Sequence, residues 1–179
     1  MEFPPIPSWD GLHPLIIHFP IALLLAAPLF VIVGLLWKKH GFAFLMAALL
    51  LMAMGTAAAY VAVETGQAAA ELADRTPEIN PVLSHHQKLA DRTRLVFTGL
   101  TALLAVLVFV PALLKKEMKR TLAIPLYAVF LLLYAGGAVL LANTAHNGGR
   151  LVHEFGVRAL VLPAPGQQAP ASAPAPSQP

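Results

Sequence analysis

The chain has 179 residues, of which 58% are hydrophobic and only 12% charged, with seven histidines and no cysteine. That apolar balance is too high for a soluble domain of this length and suits one membrane domain. The missing thiols exclude disulfides, Cys-ligated zinc, iron–sulfur clusters and covalently attached c-type haem, and the formal charge of +3 is not gathered into a nucleic-acid patch.

Residues 1–14 form a short outer segment. The first apolar run, about 15–37, is long enough to span a bilayer, which takes about 20 residues. It has no basic residue before it and exceeds a signal h-region, so it reads as a retained helix. Leu12-His13-Pro14-Leu15-Ile16-Ile17-His18-Phe19-Pro20 places His13 at the helix start. His18 falls about one turn deeper among Ile16, Ile17, Phe19 and Ile21. An imidazole at that depth is costly and calls for a partner, either a ligand or a backbone carbonyl freed by Pro20.

The link Trp37-Lys38-Lys39-His40-Gly41 carries the one histidine on the opposite side. In the second run, about 42–63, Ala48, Gly55, Ala62 and Gly66 recur near one face, thickened by Ala58 and Ala59. Such a stripe suits a porphyrin face, and it equally suits close helix packing without any cofactor. The following 64–94 segment continues helical over 67–73 by propensity, then reads as a turn over Thr76-Pro77-Glu78-Ile79-Asn80-Pro81. Ser84, with Gln87 three residues on, resembles a capping box, so helix three is expected to start near His85 and to stand partly outside the membrane. His85 and His86 point about 100° apart. The His86 face continues to Thr93 and Phe97, whereas the His85 face meets Lys88 and Arg92, so His86 is the inward one.

The third run covers about 95–114 and the fourth about 122–143, with Gly136 and Gly137 in the latter. Proline occurs inside the runs at 20, 28, 111 and 125, which membrane helices tolerate. Beyond the fourth run, His146 and His153 are spaced to share one helical face if Gly148-Gly149 does not break the helix. That glycine pair either ends the helix or lets something approach its backbone. From 163 to 179 the chain is an uncharged Pro/Ala-rich tail, expected to be disordered.

Lysine and arginine set the orientation. The two short links hold six of the twelve basic residues against one acid, net +5, while the remainder is net −2. The positive-inside rule places both links in the cytoplasm and both termini outside. The fold expected is an all-α integral membrane four-helix bundle over 15–162, N-out/C-out, with helix three extended at the outer face, in a bacterial inner membrane with periplasmic termini.

Six of the seven histidines therefore gather at the outer rim. Imidazoles from several helices of a bundle suit b-type haem best, through bis-histidine ligation at a low-spin iron. The expected ligands are His18, His86 and His146 first, with His13, His85 and His153 behind them, for one or two haems. Arg92, Arg94 and Arg150 are placed to meet propionates or to anchor at the interface. A copper, zinc or iron site from the same imidazoles with Glu64, Asp91 or Glu154 is the weaker metal reading, because no compact motif appears. Glu64, at the outer end of run two, can serve protons near a quinone pocket.

The segment His13-Pro14-Leu15-Ile16-Ile17-His18-Phe19-Pro20-Ile21-Ala22-Leu23 resembles the opening motif HPLxxHFPIAL of a bacterial family of predicted four-helix membrane proteins of unknown function. Gly148-Gly149-Arg150-Leu151-Val152-His153-Glu154-Phe155-Gly156-Val157 is similar to that family's GGxLVYxxGV end, with His153 in place of the aromatic. The likeness spans about 12–157. It implies a membrane protein met in respiratory, cytochrome-rich settings and supplies no reaction. The function expected from the residues is an electron-transfer subunit with b haem near the periplasmic side. It would relay electrons between an outer redox partner (a c-type cytochrome or iron–sulfur protein) and quinone or another membrane subunit. The competing readings are a cofactor-free scaffold or assembly subunit and a non-haem metal protein.

Overall fold

The computed structural model describes residues 7–37, 39–73, 75–115 and 119–157. The 163–179 tail, residues 116–118 of the second short link and residues 1–6 of the outer segment lie outside the described residues. After a single 3-10 turn, Asp10–Leu12, the chain forms α1 (His13–Ile16), α2 (His18–Leu36), α3 (Gly41–Glu71), α4 (Ile79–Leu113) and α5 (Arg120–His153). No strand occurs among the described residues. Four helices are long and apolar enough to cross a membrane. At 31, 35 and 34 residues, α3, α4 and α5 measure about 46–52 Å at about 1.5 Å per residue. A bilayer core is about 30 Å, so each stands well clear of it.

Helix α2 packs on α3, α4 on α5, α3 on α4, and α2 more loosely on α5, which closes a four-helix bundle. Helices α2 and α4 begin, and α3 and α5 finish, at one end, called here the histidine end. The surface is apolar: Leu36, Leu113 and Leu132 are 74–78% exposed, as lipid-facing side chains are. Inside, Leu24, Val31, Met52, Phe97, Leu104, Phe130 and Tyr134 are fully buried. The Tyr134 ring meets Phe97 edge-on at 5.4 Å.

Local chemistry explains the element ends. Pro14 lies in the first turn of α1, where no backbone donor is needed. At the far end, Gly34 and Gly41 let the backbones of α2 and α3 cross closely, and a Cβ on Gly41 would sit 2.6 Å from the Gly34 carbonyl oxygen. Trp37 closes this hairpin by stacking on Phe44 at 5.7 Å, with His40 edge-on to it.

Helix α4 starts at Ile79, earlier than the Ser84 capping pattern predicts. Pro81 falls in the first turn, where it is tolerated, and the Thr76 hydroxyl accepts the Ile79 N–H at 3.3 Å. Ile79 and Leu83 are buried with Ala70 and Leu151 in a small apolar cluster that ties the ends of α3, α4 and α5 together. Burial of that cluster, not the cap, fixes where the helix begins. Helix α5 runs through Gly148-Gly149 without a break.

Within the bundle, polar groups are matched. Pro28 has no N–H for the Leu24 carbonyl, and the Tyr134 hydroxyl of α5 donates to that carbonyl instead. Thr56 and Thr101 link α3 to α4 at 3.0 Å, and Thr93 and Thr144 link α4 to α5 at 2.8 Å. Such pairs are the side-chain glue of membrane bundles.

Candidate functional site

At the histidine end the four long helices and α1 line a partly open apolar cavity of about 420 Å³. Ala59, Ala62, Leu141 and Ala145 form part of its wall, and His13, His86 and His153 line it. Gln67 and Gln87 are the uncharged amides in that wall.

His13 is carried by α1, which lies against α3. Its Nδ1 is 2.8 Å from the Ala62 carbonyl oxygen and 3.3 Å from the Thr65 hydroxyl. A carbonyl only accepts, so Nδ1 carries the proton and donates. The Thr65 hydroxyl itself donates to the Val61 and Ala62 carbonyls, and its oxygen shares the imidazole proton. The carbonyl is not the one freed by Pro20; it belongs to α3. The ring lies against Gly66, where a Cβ would come within 2.8 Å of it.

His86, on α4, repeats the arrangement against α5. Its Nδ1 donates to the Thr144 carbonyl at 3.0 Å, and its ring lies on Gly148, where a Cβ would come within 3.0 Å. Here Gly148 serves close approach, whereas Gly149 has open space where a Cβ would go. In both rings Nε2 is left as the nitrogen with a free lone pair, and neither Nε2 has a hydrogen-bond partner among the described residues. A ring whose Nδ1–H is tied to a carbonyl is held in one tautomer and one orientation, as metal-bound histidines are.

The other expected ligands are placed differently. His18, His85 and His146 are exposed and line no part of the large cavity. His146 and His153 share a shallow surface pocket with Arg150 and Glu154. His153 is exposed at the cavity rim. Among the described residues no three His, Asp or Glu side chains come together as a metal-binding group.

The expected propionate partners are engaged elsewhere. Arg94 pairs with Asp91 at 2.8 Å and Glu64 at 3.3 Å, and lies over the Tyr60 ring. Arg150 pairs with Glu154 at 2.8 Å. Arg92 is exposed. Glu64 therefore acts as a counter-ion in an interhelical cluster, away from the cavity wall. The small-residue stripe divides in two: Gly55 receives Leu23 and Leu24 of α2, which is helix packing, whereas Gly66 lies beneath an imidazole.

Sequence reasoning set His13 behind His18 because depth was the only available criterion. The visible signal was Ala62-x-x-x-Gly66 and Thr144-x-x-x-Gly148, each a carbonyl with a glycine one turn on. A family model described as "Predicted membrane protein (DUF2231)" matches residues 10–160. No curated protein and no solved structure matches the chain.

Proposed function

The chain belongs to the DUF2231 family of predicted membrane proteins, and we propose that it is a membrane electron-transfer subunit that binds b-type haem in the cavity at its histidine end. The observation that carries this reading is the pair of imidazoles on one apolar cavity, each with its Nδ1 proton tied to a backbone carbonyl. The donor set fits haem iron, which takes imidazole nitrogen axially. The volume lies within the range of cofactor sites, about 300–1,000 Å³. The propionates would meet Gln67, Gln87 and water rather than the paired arginines.

Bound there, haem supplies a one-electron ferric/ferrous couple. The chain's own part is to hold the rings, exclude water with Ala59, Ala62 and Leu141, and tune the iron through the carbonyls behind each Nδ1–H. The lysine-rich links support, by the positive-inside rule, a histidine end at the periplasmic face of a bacterial inner membrane with both termini outside. Electrons would pass between an outer partner, such as a c-type cytochrome or iron–sulfur protein, and quinone or another membrane subunit.

A pyridine haemochrome assay on protein purified in mild detergent from haem-replete cells tests this. Reduced bands of b haem are expected. A featureless spectrum overturns the reading and leaves the scaffold and non-haem metal readings.

A further inference from the structure

The two helical hairpins, α1–α3 and α4–α5, carry the same device in the same register. His13 opens α1, and His86 lies about two turns into α4, the leading helix of the second hairpin. The buried positions that follow correspond in sequence spacing: Leu24 with Phe97, Ala27 with Leu100, Val31 with Leu104. On the trailing helices the buried Ala48, Met52, Gly55 and Ala59 correspond to Phe130, Tyr134, Gly137 and Leu141. In that register the carbonyl acceptors Ala62 and Thr144 correspond, and so do the glycines under the rings, Gly66 and Gly148. Gly55 takes Leu24 and Gly137 takes Phe97 and Leu100, so the close contacts repeat as well. The leading helices run the same way, which makes this a parallel repeat about an axis along the bundle.

The same register sorts the histidines. His85 corresponds to Leu12, His153 to Glu71, His18 to Asp91 and His146 to Glu64. Asp91 and Glu64 are the two carboxylates that Arg94 bridges. Of the six histidines at this end, only His13 and His86 are counterparts of each other, and both line the one cavity between the repeats.

Resting on the haem reading above, we infer that the site holds a single haem on the pseudo-two-fold axis, with His13 and His86 as equivalent axial ligands through Nε2. Each ligand is backed by its own carbonyl, so neither is the weaker one by construction. His18, His85, His146 and His153 take no part in ligation.

The test combines haem-to-protein stoichiometry with electron paramagnetic resonance of the ferric full-length protein. One haem per chain and a low-spin bis-imidazole signal are expected. His13→Gly and His86→Gly should each abolish that signal, and millimolar imidazole in the buffer should restore it, which repair of a merely structural defect would not do. His18→Ala and His146→Ala should leave it unchanged. Two haems per chain, a wild-type signal in His13→Gly or His86→Gly, or loss of the signal in His18→Ala or His146→Ala overturns the pairing while haem binding stands. A wild-type protein without haem overturns both.

Discussion

At the scale of single residues, the bundle gives several buried polar atoms a specific partner on another helix. Tyr134 is the clearest case, because its hydroxyl fills a vacancy that Pro28 creates at the Leu24 carbonyl. Tyr134→Phe should lower stability by about 1–2 kcal/mol, the cost of leaving a buried carbonyl unpaired. In a Pro28→Ala background, residue 28 regains its N–H, and the same change should cost about 0.5 kcal/mol or less. Unfolding of the four proteins in mixed micelles checks this, and equal costs in both backgrounds would refute the assignment. The tyrosine was not legible as a partner in the sequence, since the two residues are far apart along the chain. The histidines were legible as a class, through their gathering at one rim. His86 was legible as the inward one of its pair, whereas His13 was not, because it is turned inward by Ala62 and Thr65 of another helix.

At the scale of elements, glycine separates contact from spacing. Gly66 and Gly148 lie under the imidazoles, whereas Gly136 and Gly149 have open space where a Cβ would go. Gly66→Ala and Gly148→Ala should each push a ring from its carbonyl and weaken haem retention by about tenfold, which is about 1.4 kcal/mol. Gly136→Ala and Gly149→Ala should change retention by about 0.5 kcal/mol or less. Competition for haem with apomyoglobin measures all four, and a uniform effect would contradict the packing described. The apolar runs and the extension of α3 past them were readable from hydropathy and propensity. The start of α4 was not, because Ser84 offers a local cap while Ile79 and Leu83 are drawn into helix by burial against Ala70 and Leu151. Likewise Gly148-Gly149 reads equally as a stop or as a close approach until His86 is seen lying on Gly148.

At the scale of the whole molecule, the chain is two versions of one hairpin around a shared cavity. Sequence alone hides the repeat because the paired core positions hold different side chains, Leu24 against Phe97 and Met52 against Tyr134, the second hairpin carrying the larger ones while burial is kept. The membrane class, the helix number and the crowding of histidines at one end all follow from composition and patterning. The proposed partnership of His13 with His86 rests on a cavity that both line only when both hairpins are folded. An experimental density map of the purified wild-type protein tests that partnership most directly. The account predicts one flat macrocycle in the cavity, with its iron between Nε2 of His13 and Nε2 of His86. Lipid or water in that space, with the iron held by His18 or His146, would contradict it.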